Sequence, residues 1–202
     1  MNPTPSRKRK SFLQFSRFIT RLILVAVVFT AKSVDLSTDG VTNLAGDPVQ
    51  LKLEERQVPA VLIFLSTDCP ISNRYAPTIR KLQSEFRKVR WVLVYPNRDE
   101  SAEKIQKNLK EFELSCEAWR DTKHILVNSA EVSITPEVTV FVPSVGFIYR
   151  GRIDDRYVDF GRKRTAATTN DLRKILVQIE NGKVPSRTIT KAVGCHIPKL
   201  KN

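Results

Sequence analysis

The stretch FLSTDCPISNRYAP, residues 64–77, joins a buried strand to a helix and places a cysteine at the junction. The strand is predicted by the apolar run VPAVLIFL over residues 58–65, whose branched side chains are typical of a strand buried on both faces. Pro70 suits the first turn of a helix, because the donor that proline lacks would have no partner there. The helix itself is predicted by apolar residues at intervals of three and four, namely Ile79, Leu82, Phe86 and Val89.

The segments that follow predict a mixed sheet flanked by helices. WVLVY at residues 91–95 indicates a second buried strand, and Ser101 can cap the helix after it. Residues 138–142 (VTVFV) and 147–153 surround the turn PSVG and indicate an antiparallel hairpin, with a last helix beginning near Asn170. Crossover helices require parallel pairing in the first half and the hairpin adds antiparallel strands, so we expect an α/β fold with a central mixed sheet.

The N-terminal residues 1–33 carry much of the positive charge. They hold seven of the 34 Lys and Arg residues and no acidic residue, and they include the apolar run LILVAVVFTA at residues 22–31. A run of this length is shorter than the 18 or so residues that cross a bilayer, and a basic start before a short apolar run predicts a secretory signal peptide. An uncleaved membrane anchor through residues 12–31 is the alternative. Either way we expect the folded part to be exported, as a periplasmic protein or one anchored to the membrane outside the cytoplasm.

A net charge of +13 would suggest a nucleic-acid partner, but the distribution of that charge along the chain argues against one. More than half of the excess lies in residues 1–33, so the folded part is not basic enough to indicate a nucleic-acid partner. We expect residues 34–183 to form one domain and residues 184–202 to form a C-terminal extension.

The three cysteines, Cys69, Cys116 and Cys195, are too few and too widely spaced for a disulfide scaffold and indicate at least one reactive thiol. An odd number in an exported chain leaves at least one thiol free or paired with another molecule. The start of a helix favours the thiolate of Cys69, although the adjacent Asp68 opposes it. Cys116 follows a helix and is interpreted as structural.

The active-site stretch and the order of elements resemble those of thioredoxin-like redox proteins, in the redoxin and thiol-specific antioxidant (AhpC/TSA-like) branch. Pro77 lies where helices of this family commonly carry a kinking proline. Thr135-Pro136 precedes the first hairpin strand, where the family places a cis-proline loop facing the nucleophilic cysteine. The resemblance covers roughly residues 55–180 and implies a catalytic Cys69, with Pro136 and Thr135 shaping the substrate edge.

The sequence also departs from the patterns of this family. Ser72 stands where thioredoxin has its second cysteine; it can hydrogen-bond a thiolate but cannot resolve a mixed disulfide. A peroxidase would require a Ser or Thr, which Ser66 supplies, and an activating arginine, for which Arg150 and Arg152 are the candidates. A thiol peroxidase is therefore kept as an alternative.

Cys195 is the candidate resolving thiol. It lies in the sequence VGCHI, where Gly194 permits close backbone approach and the tail is long enough to fold back over Cys69. The alternative is a surface cysteine on a disordered tail. A three-ligand metal site of Cys69, Cys195 and His196 would need the same folding back, and we expect neither a metal nor a cofactor.

The sequence thus predicts an exported thiol-disulfide oxidoreductase acting through Cys69, with a protein or small-molecule disulfide or thiol as redox partner. A thioredoxin-fold binding module without turnover is the alternative from another class.

Overall fold

The computed structural model describes residues 36–50, 58–143 and 145–200. The predicted signal peptide or anchor at residues 1–33 lies outside these residues. Within them, none of the helices has the length and apolar character that crossing a bilayer requires.

The described residues form short edge strands around a long central sheet, with helices between the strands. In chain order the elements are β1 (Thr42–Asn43), β2 (Ala60–Phe64), α1 (Pro70–Arg74), α2 (Ala76–Glu85), β3 (Arg90–Tyr95), α3 (Ala102–Glu111), β4 (Glu117–Arg120), α4 (Ile125–Ser129), β5 (Ile134–Thr135), β6 (Glu137–Val142), β7 (Gly146–Gly151), β8 (Tyr157–Asp159), β9 (Arg162–Lys163), α5 (Asp171–Glu180), β10 (Thr188–Ile189) and β11 (Cys195–His196).

The main sheet is mixed, as the sequence predicts. Across the described residues its strand order is β1-β4-β3-β2-β6-β7-β10. β2 pairs parallel with β3 and antiparallel with β6, and β6 pairs antiparallel with β7 in the predicted hairpin. Helices connect β2 to its parallel neighbour β3, and a turn connects the antiparallel strands β6 and β7, which is the rule for such connections.

The central position of β2 explains its uninterrupted apolar sequence. All five of its residues are buried. Val61 and Ile63 pack into the core on one face of the sheet, while Leu62 and Phe64 pack into the core on the other. A strand covered on both faces needs apolar residues at every position instead of alternate ones.

The helix that follows β2 is interrupted. α1 ends at Arg74 and α2 begins at Ala76, with Tyr75 between them. Pro77 lacks the N–H that a continuous helix would donate to the Asn73 carbonyl, so the hydrogen-bond ladder breaks at this point. The kink predicted from Pro77 is therefore present, and it separates the short helix that starts at the cysteine from the longer helix packed on the sheet.

The described part of the C-terminal extension, residues 184–200, adds two strands to the domain. β10 pairs parallel with β7 at one edge of the main sheet, and β11 pairs antiparallel with β5. Between them the Thr190 hydroxyl lies 2.8 Å from the Tyr149 hydroxyl and accepts from the Arg152 backbone N–H at 3.1 Å. These contacts bring the end of the chain to the carboxyl end of β2.

Candidate active site

Cys69 is the residue immediately before α1, at the carboxyl end of the central strand β2. A tight turn holds it there, since its backbone N–H donates to the Ser66 carbonyl at 3.2 Å and its own carbonyl accepts from the Asn73 N–H at 3.1 Å. The side chain is only 1% exposed. Its thiol donates to the Thr135 carbonyl oxygen at 3.0 Å, so the sulfur faces the segment that the sequence placed opposite it.

That segment is a cis-proline loop. The Thr135–Pro136 peptide bond is cis, as the resemblance predicts. Both residues are buried, with Thr135 ending β5 and Pro136 standing between β5 and β6. The turn directs the Thr135 carbonyl toward Cys69 and leaves the free edge of β5 for pairing with another strand.

The C-terminal tail occupies that edge. In the β5–β11 ladder Cys195 lies opposite Thr135 and His196 opposite Ile134. One step further along, the Ile197 N–H donates to the Ser133 carbonyl at 3.0 Å. The tail therefore folds back over the site and places Cys195 beside Cys69, near enough for each thiol to shift the pKa of the other.

Gly194 makes this approach sterically feasible. A Cβ at this position would overlap the Thr135 carbonyl and would lie 2.8 Å from Ile134 Cγ2, inside ordinary van der Waals distance. The tail packs against β5 because Gly194 has only a hydrogen in place of a side chain.

The hydrogen bonds around Cys69 favour its thiolate. Burial raises the pKa of the Cys69 thiol, but donors from Cys195 and Ser72, each through its side chain and its backbone N–H, outweigh burial and leave the pKa below its ordinary value. While the thiol is protonated, the buried Ser72 hydroxyl has no hydrogen-bond partner among the described residues. It becomes a donor when the thiolate forms, which is the role the sequence suggests for it.

Cys195 shows the opposite shift. Burial, the hydrogen bond to Cys69 and the charge of Cys69 raise the pKa of the Cys195 thiol to about 12. Cys69 is therefore the thiol of the pair that ionises at the lower pH, and Cys195 the one that keeps its proton to higher pH. This is the division of roles that thiol–disulfide exchange requires of a nucleophile and its proton-bearing neighbour.

A buried carboxylate supports the loop before Cys69. Glu100 is 0% exposed, and its Oε1 accepts from the Ser66 hydroxyl at 2.7 Å and from the Thr67 N–H at 2.7 Å and hydroxyl at 3.0 Å. The carboxylate comes from the loop after β3, the strand parallel to β2. It fixes the two residues that carry the chain from the sheet to the cysteine.

The acidic neighbour of Cys69 is neutralised. Asp68 Oδ2 forms an ion pair with Lys104 Nζ at 2.7 Å, and both side chains are exposed. The negative charge of Asp68, which would disfavour a thiolate at Cys69, is thus paired with the cation of Lys104 on α3.

The candidate peroxide-site residues point elsewhere. The Ser66 hydroxyl is committed to the buried carboxylate just described. Arg150 pairs with Glu131 at 3.1 Å, and Arg152 pairs with Asp171 at 2.7 Å. The geometry thus brings together Cys69, Ser72, Thr135, Pro136 and Cys195, and does not direct either arginine to the sulfur.

The remaining cysteine and histidine candidates are outside this cluster. Cys116 packs against the edge of the core, and burial raises the pKa of its thiol to about 11. His196 is exposed on β11. Across residues 36–50, 58–143 and 145–200 no group of three or more Cys, His, Asp or Glu is arranged to hold a metal ion.

Glu100 and Lys104 are the site residues that sequence reasoning missed. A signal for Glu100 was present: an acidic residue five positions after the strand at residues 91–95. The carboxyl ends of parallel strands meet at one edge of a sheet, where sites form. For Lys104 no local pattern distinguishes it from the other lysines of α3.

A buried cysteine at the carboxyl end of the central strand, facing a cis-proline loop in a mixed sheet flanked by helices, defines a thioredoxin-like fold. Comparison with solved structures agrees with this assignment. An uncharacterized conserved protein from Geobacillus kaustophilus superposes with a TM-score of 0.68 at 19% identity, covering 85% of this chain and 91% of that one. A hypothetical protein from Sinorhizobium meliloti 1021 gives a TM-score of 0.65 at 18% identity, covering 83% and 91%.

The similar structures also include MTB dsbF, solved in mixed oxidized and reduced forms. It gives a TM-score of 0.50 at 16% identity, covering 69% of this chain and 92% of that one. No protein-family model and no curated protein matches the sequence. The comparisons therefore establish the fold.

Proposed function

We propose that the protein is an exported thiol-disulfide oxidoreductase in which Cys69 is the nucleophile and Cys195 the resolving thiol. The observation that carries the proposal is that Thr135 accepts from the Cys69 thiol and pairs with Cys195 in the β5–β11 ladder, with the pKa of Cys69 lowered and that of Cys195 raised. A dithiol pair assembled in this way replaces the two-cysteine motif that Ser72 interrupts.

The reaction follows from the two thiols. The Cys69 thiolate attacks one sulfur of a substrate disulfide, forming a mixed disulfide and expelling the other substrate sulfur as a thiolate. Cys195 then loses its proton and attacks the Cys69 sulfur, which releases the second substrate thiolate and closes a Cys69–Cys195 disulfide. The substrate gains two electrons and the protein loses two, so a dithiol reductant must restore the protein.

The surrounding residues have separable roles in this scheme. The Ser72 hydroxyl and backbone N–H stabilise the attacking thiolate. The Thr135 carbonyl holds the thiol form in place through the bond from Cys69. Pro136 follows that carbonyl through the cis peptide bond and, having no N–H, adds no backbone donor at this point.

Export is the part of the proposal supported by sequence alone. Residues 1–33 have the basic and apolar segments of a secretory signal, and an oxidising compartment would let the thiol pair cycle. N-terminal sequencing of the mature protein from a fractionated cell tests it. A chain recovered from the cytosol with residues 1–33 intact would contradict export without touching the redox proposal.

The decisive experiment maps the cysteines after mild oxidation. Reduced protein is treated with diamide, and its peptides are identified by mass spectrometry without reduction. We expect a Cys69–Cys195 disulfide with Cys116 free. Cys195→Ser should instead leave Cys69 in a mixed disulfide with added glutathione, and the matched Cys116→Ser variant should behave as the unmodified protein does.

Turnover separates the proposed enzyme from a binding module of the same fold. With a small disulfide as substrate and dithiothreitol as reductant, Cys69→Ser should abolish the protein-dependent rate and Cys116→Ser should retain it. Equal losses in the two variants, or no rate above background with all three cysteines present, would favour the binding module. A thiol peroxidase stays an alternative from the sequence, although its two candidate arginines, Arg150 and Arg152, pair with Glu131 and Asp171.

A further inference from the structure

The two sulfurs of the pair differ in accessibility. Cys69 is 1% exposed, beneath Thr135 and the tail. Cys195 is partly exposed, on the outer strand β11. Its neighbours His196 and Pro198 are exposed as well. A reagent arriving from solvent therefore meets the sulfur of Cys195 first.

The cover over Cys69 depends on the redox state. In the dithiol form, β11 is held by a two-residue ladder, by the hydrogen bond from the Ile197 N–H to the Ser133 carbonyl and by the close fit of Gly194 against Thr135. Such contacts open and close reversibly. Once a Cys69–Cys195 disulfide has formed, the same tail is covalently tied across the site and cannot lift away.

The chemistry of the leaving sulfur favours the same direction of attack. A thiolate attacking Cys195 expels Cys69, whose thiolate keeps the donors of Ser72 and the backbone N–H of Cys195. A thiolate attacking Cys69 would expel Cys195, whose pKa is raised first of all by burial. Exchange is faster when the leaving thiol has the lower pKa, so access and leaving ability agree.

We propose that the two half-reactions use different sulfurs: substrate disulfides are reduced by Cys69 when the tail lifts, and the dithiol electron donor attacks Cys195 when the disulfide locks the tail. This inference rests on the proposed function and adds to it the point at which electrons enter. Cys195 is then the docking sulfur for the donor and not only the thiol that resolves Cys69.

Each bond change is accounted for. One donor thiolate forms a bond to the Cys195 sulfur, the Cys69–Cys195 bond breaks, and its electron pair leaves on Cys69 as a thiolate. The second donor thiolate attacks the donor sulfur bound to Cys195, closing the donor's disulfide. The Cys195 sulfur departs with an electron pair and takes up a proton.

A monothiol probe stops this sequence after its first step. The oxidised full-length protein, with its disulfide verified by peptide mapping, is mixed with glutathione and excess iodoacetamide, then quenched in acid. Iodoacetamide alkylates the sulfur that is released and prevents its return. We expect glutathione on Cys195 and the alkyl group on Cys69 in most of the singly reacted molecules.

Two results would overturn the inference, and a third would overturn the proposed function on which it rests. Glutathione found mainly on Cys69, with Cys195 alkylated, reverses the assigned order, and an even distribution removes the distinction between the sulfurs. Oxidised protein without any Cys69–Cys195 disulfide overturns the proposed function itself. Cys116→Ser serves as the control, since its adduct distribution should equal that of the unmodified protein.

A second variant tests the role of the tail in the reduced state. Gly194→Ala should loosen β11 and accelerate alkylation of Cys69 in the reduced protein, whereas Lys191→Ala, an exposed position in the same segment, should not. If Gly194→Ala leaves the Cys69 alkylation rate unchanged, the tail does not control access to that sulfur and the inference fails.

Discussion

Replacing Gly194 by alanine should weaken the Cys69–Cys195 disulfide. The added Cβ would lie 2.7 Å from the Thr135 carbonyl carbon and 2.8 Å from Ile134 Cγ2, whereas ordinary contacts begin at 3.4 Å. One methyl group forced into a packed interface costs about 1–3 kcal/mol. The reduced tail can relieve that overlap by moving away from β5, but the disulfide holds it there, so the cost falls on the oxidised form.

The expected magnitude follows from this difference between the two states. Since about 1.36 kcal/mol corresponds to a tenfold change, the equilibrium constant for forming the disulfide should fall by roughly 5- to 150-fold. Protein is equilibrated in glutathione redox buffers of graded ratio, quenched with acid, and the oxidised fraction is measured by intact mass. The midpoint for Gly194→Ala should move to more oxidising buffers.

A matched control and a stability measurement make the result interpretable. Lys191→Ala changes an exposed residue of the same tail and should keep the midpoint of the unmodified protein. Thermal unfolding of the reduced forms should show that Gly194→Ala still folds. If the folded variant and the unmodified protein share one midpoint, the contact between Gly194 and β5 does not govern the disulfide and our reasoning is wrong.

Three further predictions concern single side chains. Ser72→Ala should shift the alkylation-rate profile of Cys69 to higher pH, because the thiolate loses a donor; the midpoint in the unmodified protein should lie below the value of about 8.5 for a free cysteine. Glu100→Ala should lower the free energy of unfolding in urea by about 1–3 kcal/mol, because it leaves a buried backbone N–H of the loop without its acceptor. Asp155→Asn should lower the unfolding temperature near neutral pH, an effect that disappears in acid. A threonine side-chain hydrogen bond and two backbone N–H groups lower the pKa of Asp155 to about 2, against about 3.9 when unfolded. Its stabilisation is therefore complete above the unfolded value and lost as pH falls through the folded one.

Each of these three variants has a matched control variant of the same protein. Ser129→Ala removes a hydroxyl that bonds only within α4 and should not move the Cys69 profile. Glu100→Gln keeps an acceptor oxygen and should cost less than the alanine variant. Asp99→Asn, at an exposed position, should show no pH-dependent difference. An unshifted profile for Ser72→Ala, equal losses for both Glu100 variants, or an Asp155→Asn effect that persists in acid would count against the corresponding assignment.

Local patterns were sufficient to predict the fold. The apolar runs at residues 60–64 and 91–95 indicated strands covered on both faces, and the turn PSVG between two apolar runs indicated the hairpin. The cis peptide bond of Pro136 opposite Cys69 was expected from the family resemblance, whereas the local pattern located Cys69 at the strand–helix junction. These features depend on short-range chemistry, or on a motif whose residues stand in one continuous stretch.

The rest of the site depends on contacts that no local pattern encodes. Whether Cys195 reaches Cys69 is decided by two pairings far apart in the chain, β10 with β7 and β11 with β5. The sequence shows only that Gly194 allows such an approach. Likewise, a carboxylate in a loop is ordinarily solvated, and Glu100 is recognised as the support of the Cys69 loop only when β3 is known to lie beside β2.

The two-residue strands at the margins of the main sheet have a consequence for association between molecules. In the described part of the chain the sheet ends at β1 on one side and at β10 on the other. A strand this short presents few unpaired N–H and C=O groups, so a second molecule finds little template on which to extend the sheet. The chain end that delivers Cys195 to the site thus also closes a margin that β7 would otherwise expose, and its removal should make the protein prone to aggregate through that edge.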